Sequence, residues 1–211
     1  MKRIFLLSCF VTLPALAQNL VDVKSVDPSI IVEARYAMAH NFIGRPIAGY
    51  HAEKCLLTAE AATALGKVQA ELKAYGMSLR AYDCYRPQRA VNDFIAWAKD
   101  LGDQKMRREF YPRVDKARLF ELGYIAEKSG HSRGSTIDLT IDGLDMGTRY
   151  DYFDELAHTA NPNIRPAARR NRLLLKSVME KFGFRNYDKE WWHFTLANEP
   201  FPDTYFDVEV R

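Results

Sequence analysis

The sequence carries little net charge and no repeats, and each absence argues against a class of protein. Its 30 lysines and arginines and 27 aspartates and glutamates leave a formal net charge of +3, dispersed over 211 residues. Proteins that follow nucleic-acid phosphates usually carry a concentrated basic surface, so we expect no nucleic-acid partner. No low-complexity tract or linker follows residue 18, and 47% of the residues are hydrophobic. This composition is typical of one compact domain.

Long hydrophobic runs are also missing, apart from a short one near the N-terminus. Residues 4–16 are mostly apolar, but this run is shorter than the roughly 20 residues that a transmembrane helix needs. Lys2 and Arg3 precede it, and small residues close it at the positions that a signal peptidase reads. We therefore predict that residues 1–17 are a cleaved secretory signal. The mature domain is then 18–211, exported to the periplasm and not inserted in the membrane. A buried first helix is the alternative.

Cysteine is scarce, with three in the whole chain. Cys9 falls within the predicted signal, where a lipoprotein cleavage site is the alternative to simple cleavage. Cys55 and Cys84 remain in the mature chain, and an oxidising compartment allows such a pair to form a disulfide. Two free buried thiols fit the sequence equally well, so the pairing stays open at this point.

Alternation of apolar and polar residues predicts the strands. The pattern favours an edge strand over 29–36 and further strands over 77–83, 136–141, 184–187 and 191–196. The residues of the third strand that are expected to face the core are Ile137, Leu139 and Ile141.

Apolar residues at intervals of three or four predict the helices. One begins after Thr58 and ends before Gly76, a second begins at Pro87, and two more cover 115–122 and 165–181. Helices and strands without regular alternation favour an α+β fold, a single domain with helices packed on a mostly antiparallel central sheet. The residues expected to face the core are Ala61, Leu65, Val68, Leu72 and Tyr75 in the first helix, Ala90, Phe94 and Trp97 in the second, and Leu173, Leu174, Val178 and Phe182 in the last.

Histidine is scarce too, and only five are available to any metal site. His131 lies seven residues before Asp138, with Gly134 between them to permit a turn, and His193 lies three residues after Glu190. Two histidines and one aspartate around a metal leave a coordination position open for water, which a catalytic zinc requires. Either half alone would be weak, but their joint presence favours a metal centre.

These residues form motifs that resemble a known family. The pattern Ser129-x-His131-x2-Gly134-x-Thr136-x-Asp138, together with Glu190-x-Trp192-His193, is similar to the paired motif of zinc D-alanyl-D-alanine peptidases, which usually have alanine at the position of Thr136. Within that group, the chain from about residue 20 onwards resembles the VanX-type D-Ala-D-Ala dipeptidases. The segments that carry this closer resemblance are Asp83-Cys-Tyr-Arg86-Pro87, Asn41-Phe-x-Gly44, Asp145-Met-Gly-Thr148 and Asp151-Tyr-Phe-Asp-Glu155.

The resemblance implies a zinc metallopeptidase that hydrolyses the small dipeptide D-Ala-D-Ala to free D-alanine, in cell-wall precursor or turnover metabolism. It implies one zinc ion per chain, bound by His131, Asp138 and His193. It also implies that Glu190 is the general acid and base and that Arg86 stabilises the tetrahedral intermediate. The alternatives are a surface salt bridge for Arg86 and an orienting role for Glu190.

Three more residues match family positions that hold the dipeptide. Asp151 is implied to bind the free ammonium group, with the hydroxyls of Tyr36 and Ser129 near the ends of the substrate. The alternatives are that Asp151 caps a helix beginning near Phe153 and that Tyr36 is a core aromatic residue. We expect a monomer.

Two other functions compete with this interpretation. One is a peptidoglycan D,D- or L,D-carboxypeptidase or endopeptidase, which shares the zinc motif but accepts longer peptides. An ammonium anchor at Asp151 argues against it, because a longer substrate has no free amine there. The other is a zinc-binding module without catalysis, against which the presence of both Glu190 and Arg86 argues.

Overall fold

The computed structural model describes residues 20–211. The predicted signal, residues 1–17, lies outside this range and stays a prediction. No helix in the described range is long and apolar enough to cross a bilayer. The strands are β1 (Leu20–Asp22), β2 (Ile31–Val32), β3 (Leu56–Thr58), β4 (Leu79–Asp83), β5 (Thr136–Ile141), β6 (Phe184–Asn186) and β7 (His193–Leu196). The helices are α1 (Val23–Val26), α2 (Ala59–Lys73), α3 (Gln88–Lys99), α4 (Arg107–Phe110) and α5 (Pro166–Lys181).

The central sheet has the strand order β2-β4-β5-β7-β6. β4, β5, β7 and β6 pair antiparallel, and β2 adds to β4 in parallel. β1 and β3 form a separate antiparallel pair. The predicted α+β fold with a mostly antiparallel central sheet is therefore confirmed. The predicted edge strand is present but shorter than expected, because the chain enters a 3₁₀ turn at Arg35–Ala37.

β5 lies in the middle of this sheet, and all of its residues are buried. Ile137, Leu139 and Ile141 face the core, as predicted. On the opposite face, Thr136 and Asp138 are also buried, so this face does not point to open solvent. A carboxylate is thereby held in the interior of the protein, where it needs a partner.

α2 begins as the sequence predicts. The side chain of Thr58 accepts a hydrogen bond from the backbone of Ala61 and so caps the helix. The prediction that Tyr75 faces the core is wrong, because its side chain is 73% exposed. The helix ends at Lys73, and Tyr75 belongs to the following turn, where Gly76 adopts a φ of +71°. The predicted core residues that are buried are Ala61, Leu65, Val68 and Leu72.

The buried face predicted for α5 is only partly correct, because Val178 is buried but Leu173 and Leu174 are not. Leu173 and Leu174 are 53% and 40% exposed, and the residues on either side of them, Arg172 and Leu175, are buried. The Arg172 guanidinium donates hydrogen bonds to the backbone oxygens of Met146 and His158. These carbonyl groups satisfy the buried cation and set the rotation of the helix. The buried face comprises Ala168, Arg172, Leu175, Val178 and Met179.

The predicted helix over 115–122 is wrong. Only a 3₁₀ turn at Lys116–Arg118 forms. The buried ammonium group of Lys116 donates to the backbone oxygens of Asp100 and Asp103, each at 2.6 Å. Beyond it the chain coils back, so that two successive backbone amides, at 124 and 125, share the oxygen of Leu119. The segment is therefore organised by tertiary contacts and not by helical periodicity.

A disulfide joins Cys55, just before β3, to Cys84, just after β4. Their Cα atoms lie 5.1 Å apart, within the range that a disulfide spans. The structure thus decides between the bridge and the two free thiols that the sequence left open.

Candidate active site

A pocket of about 260 Å³ opens where β4 ends and β7 begins. It is enclosed by the loop after β2, the start of α3, the turn before β5 and the segment between α4 and that turn. All of the site residues predicted from the sequence line it, which are Tyr36, Arg86, Ser129, His131, Asp138, Asp151, Glu190 and His193.

Sheet register brings three of the polar residues together. Asp138 on β5 pairs directly with His193 on β7 and, on its other side, with Asp83 at the end of β4. A register shift between Ala81 and Asp83 disrupts the ladder at this point. Such bulges redirect side chains next to functional sites. The row of three side chains therefore follows from strand pairing alone.

His131 joins this row from the turn that precedes β5. The turn closes at Gly134, whose φ of +80° disfavours a side chain. A Cβ atom there would lie 2.9 Å from the Leu20 side chain. Ser129 caps the turn by accepting a hydrogen bond from the backbone of His131. The backbone conformation therefore favours glycine at this position of the motif, and a larger residue would also displace the Leu20 side chain.

The three predicted metal ligands offer atoms that lie within 4.8 Å of one another. Asp138 Oδ1 is 3.2 Å from His131 Nε2 and 3.1 Å from His193 Nδ1. This oxygen is buried and has no partner with hydrogen-bond geometry. Two imidazole nitrogens and a carboxylate oxygen that lie this close together form a donor set suited to a divalent metal ion.

Hydrogen bonds fix the positions of the candidate ligand atoms. His131 Nδ1 donates to the backbone oxygen of Cys84 at 2.7 Å, which leaves Nε2 free to bind a metal. The second oxygen of Asp138 lies 3.1 Å from the Tyr150 hydroxyl. Burial alone would raise the pKa of Asp138, but the nearby His131 and His193 outweigh it, so the pKa is lowered. The carboxylate is therefore ionised and oriented.

Glu190 lies beside the three candidate ligands and is not part of that group. Its Oε2 is 3.4 Å from His193 Nδ1, and its backbone nitrogen donates to the oxygen of Tyr187 in the turn before β7. Burial raises the pKa of the Glu190 carboxyl to about 7, and the charge of Asp138 acts in the same direction. A nearby divalent cation would lower it again. The side chain is placed to exchange protons with a group bound in the pocket.

Arg86 is not a surface salt bridge, because its side chain is only 12% exposed. Nε donates to Oδ2 of the buried Asp83 at 2.9 Å, and Nη1 lies 3.4 Å from the Ser129 hydroxyl. The guanidinium carbon lies 5.1 Å from the ring centre of Tyr36 and 4.9 Å from that of Phe94. The ion pair and both rings hold the cation in the pocket wall.

Asp151 is a buried carboxylate on the far side of the pocket. Tyr36 donates its hydroxyl to this group, at 3.0 Å from Oδ2. No cationic side chain in the described range forms an ion pair with it. Burial, and then the charge of Asp138, raise its pKa well above the ordinary value of 3.8. The helix-cap alternative is wrong, because Asp154 caps the following 3₁₀ turn.

The backbone at Asp151 is also unusual. It is the one residue other than glycine with a positive φ, at 56°, in the part of the chain that the structure describes. Such conformations cost free energy and cluster at functional sites. The hydroxyl of the preceding Tyr150 lies 3.1 Å from that of Tyr36. A chain of polar contacts therefore runs from Asp138 through the two tyrosines to Asp151.

Two contributors to the site were not predicted. Asp83 anchors Arg86, and Tyr150 contacts both Asp138 and Tyr36. A signal for the first was present, since Asp83 begins the motif that contains Arg86. For Tyr150 the sequence offers only its position beside Asp151.

Comparison with known proteins agrees with this geometry. The M15 peptidase family model described as D-ala-D-ala dipeptidase matches residues 16–211. D-alanyl-D-alanine dipeptidases from Enterococcus faecalis and Enterococcus faecium are each 41% identical, over 84% and 85% of this chain and 91% and 92% of their own lengths. A relative of the same name from Streptomyces coelicolor is 40% identical over 84% of this chain and 91% of its own. The chain therefore belongs to the D-Ala-D-Ala dipeptidase family of M15 peptidases.

Proposed function

We propose that this protein is a zinc-dependent dipeptidase that hydrolyses D-Ala-D-Ala to two molecules of D-alanine. The observation that carries the proposal is a single pocket with a metal-binding triad at one end and the buried carboxylate of Asp151 at the other. Family membership supports the same activity, since the curated relatives are named for it. Hydrolysis adds one water across the peptide bond and needs no further reactant.

Zinc would be held by His131, Asp138 and His193. The donor set of two imidazoles and one carboxylate is that of catalytic zinc sites, which keep one position open. The orphaned Oδ1 of Asp138 fits this assignment, because a buried anionic oxygen needs a cation or a hydrogen-bond donor. Zinc supplies Lewis acidity, which polarises a carbonyl group and promotes the ionisation of water at neutral pH.

Glu190 and Arg86 would have different roles in the reaction, proton transfer and stabilisation of negative charge. The carboxylate of Glu190 accepts a proton from the attacking water and returns it to the leaving amine. Arg86 supplies a fixed positive charge for the oxygen on which negative charge develops. Asp83 and the two aromatic rings hold that charge in advance, so that little reorganisation accompanies the reaction.

Asp151 would select for a free dipeptide. A dipeptide carries an ammonium group one residue before its only peptide bond, whereas a longer peptide has an amide there. Within residues 20–211 the Asp151 carboxyl group has a hydroxyl partner and no cationic one, so a substrate ammonium would stabilise its ionised form. The hydroxyls of Tyr36 and Ser129 would contact the ends of the substrate. This specificity argues against a carboxypeptidase or endopeptidase.

The decisive experiment offers the purified, zinc-loaded protein three substrates and measures the release of free alanine. The substrates are D-Ala-D-Ala, L-Ala-L-Ala and a pentapeptide ending in D-Ala-D-Ala. We expect rapid hydrolysis of the first alone. Release from the pentapeptide at a similar rate would instead indicate a carboxypeptidase, and no release from any of them would indicate a binding module.

We further propose that the protein is exported to the periplasm, acts there as a monomer, and serves cell-wall precursor or turnover metabolism. The predicted signal over residues 1–17 and the disulfide between Cys55 and Cys84 support export. Intact mass of the exported protein should correspond to a chain that begins at Gln18. Retention of the first 17 residues after export would contradict the cleavage.

A further inference from the structure

We propose that the Cys55–Cys84 disulfide is a positioning element for the metal ligand His131. The bridge holds Cys84, and the backbone carbonyl of Cys84 is the group that orients the imidazole. This inference rests on the metal site of the proposed function. It assigns the bridge a role at the metal that differs from general stabilisation of the fold.

The contact between Cys84 and His131 is short and buried. Nδ1 of the imidazole lies 2.7 Å from the carbonyl oxygen, and both residues are shielded from solvent. In return, the backbone nitrogen of Arg86 donates to the carbonyl of His131 at 3.3 Å. The segment 84–86 therefore holds the ring and the backbone of one metal ligand and also carries the proposed oxyanion-binding arginine.

The disulfide is one of the contacts that connect three segments: β3, the segment 84–86 and the turn that carries His131. Next to Cys55, the oxygen of Leu56 accepts a hydrogen bond from the backbone of Tyr85 at 2.8 Å. At the other end of β3, the backbone of Thr58 donates to the oxygen of Gly134 at 2.7 Å. β3 thus contacts both the segment 84–86 and the turn that carries His131. Of the contacts described here, only the one between Cys55 and Cys84 is covalent.

A competing partner makes the position of Cys84 matter. Oδ2 of Asp83 lies 3.3 Å from the same Nδ1 that donates to the Cys84 carbonyl. If the segment shifted after loss of the bridge, the imidazole would turn its hydrogen bond from a neutral carbonyl towards a carboxylate. Partners behind a metal-bound histidine set its orientation and basicity, and their loss typically lowers metal affinity by about 10- to 100-fold.

The test compares wild type with the variant Cys55→Ala/Cys84→Ala, which lacks the bridge and, in the chain that begins at Gln18 and so excludes Cys9, has no thiol that could bind metal. Zinc affinity is measured by competition with a chromophoric chelator, and the visible spectrum of the cobalt-substituted protein reports on ligand geometry. We expect zinc affinity to fall by about 10-fold or more and the cobalt spectrum to change. Cys55→Ser/Cys84→Ser, which also leaves neither thiol of the bridge, provides the same comparison if the alanine variant does not fold.

The matched control is Leu72→Ala. Leu72 is buried near the end of α2, 14 residues after Thr58 and hence about 20 Å along the helix axis from the metal turn. This variant should lower the melting temperature while leaving zinc affinity and the cobalt spectrum unchanged. Unchanged affinity and spectrum in the variant without the bridge would overturn the inference. If His131→Ala bound zinc as tightly as wild type, the metal site of the proposed function would fail instead.

Discussion

Asp83 and Arg86 form a buried ion pair in which one carboxylate oxygen, Oδ2, lies 2.9 Å from Nε and 2.8 Å from Nη2 of the guanidinium. The other oxygen accepts the hydroxyl of Tyr50 at 2.5 Å. Because Asp83 is held from both sides, the arginine has one defined position between the rings of the pocket wall. An oxyanion-stabilising charge is effective when its position is set before the reaction begins.

Replacing Asp83 should therefore impair catalysis through Arg86. The change Asp83→Asn keeps the shape of the side chain but removes the charge that fixes the guanidinium. We expect kcat to fall by about 10²-fold, the usual effect of a small displacement in a catalytic group, with zinc content retained. Tyr50→Phe, which removes only one hydrogen bond to Asp83, should cost less than about 10-fold. A wild-type kcat in Asp83→Asn would show that Arg86 needs no anchor.

Glu190 and His131 should separate catalysis from metal binding. In Glu190→Gln the proton acceptor is lost while the three ligands remain, so we expect kcat to fall by about 10² or more at unchanged zinc content. In His131→Ala a ligand is lost, so the metal itself should be lost. Metal analysis after dialysis and steady-state kinetics distinguish the two. Equal loss of zinc from both variants would assign Glu190 a structural role.

Local patterns predicted the parts of the fold that depend on neighbouring residues. The cap at Thr58 and the alternation of β5 were correct, because both follow from spacing along the chain. The turn between His131 and Asp138 was predicted for the same reason, since Gly134 permits the required backbone conformation. Candidate metal ligands seven residues apart are accessible to this kind of argument.

Positions that depend on distant carbonyl groups were not predictable. The rotation of α5 is set by Arg172, whose partners at Met146 and His158 belong to a separate loop. From spacing alone, Leu173 and Leu174 were the natural candidates for burial. The buried Lys116 has the same origin, since backbone oxygens at 100 and 103 satisfy its charge. Neither set of backbone partners can be detected from the local periodicity of the sequence.

In the site, too, some features follow from local spacing and others depend on contacts between distant residues. The pairing of Asp138 with His193 requires strand register, and the contact of Tyr36 with Asp151 joins residues 115 positions apart. Residue type and spacing already made Asp138 and His193 candidates for a metal site, whereas Tyr36 and Asp151 were identified only through the resemblance to a family. Tyr150 had no motif of its own, and its contact with Asp138 emerged from the structure.

The burial of Asp151 has a consequence for stability. Because its pKa is raised in the folded state, the folded protein binds more protons than the unfolded chain between the ordinary and the raised pKa. The free energy of unfolding should therefore fall as pH rises through that interval. Asp151→Asn cannot ionise and should escape this loss, so it should be more stable than wild type at pH 7 and similar to it near pH 4.

Urea unfolding of both proteins at the two pH values measures this difference. A chelator is present throughout, so that metal occupancy does not vary with pH. Asp203→Asn, which removes an acidic side chain from an exposed turn, controls for the general effect of lost negative charge. A stability difference between Asp151→Asn and wild type that is the same at both pH values would contradict the expectation.

The same residue should explain why the enzyme acts on dipeptides. If Asp151 binds the substrate ammonium, acetylation of that amine removes the charge and adds bulk at the closed end of the pocket. N-acetyl-D-Ala-D-Ala should therefore be a very poor substrate for the wild type. Asparagine is the substitution of choice, because Asp151 has a positive φ that asparagine tolerates and alanine does not.

Asp151→Asn should lower kcat/KM for free D-Ala-D-Ala. The loss, expressed as a change in activation free energy, should be about 2 to 3 kcal/mol, the scale of a lost hydrogen bond between charged groups. For the acetylated dipeptide the loss should be much smaller, since no ammonium is present to be bound. The difference between the two losses is the measurement, obtained from kcat/KM for both substrates with both proteins. Equal losses would mean that Asp151 acts on the shape of the pocket and that steric closure excludes longer peptides. Efficient cleavage of the acetylated dipeptide by the wild type would favour the carboxypeptidase function.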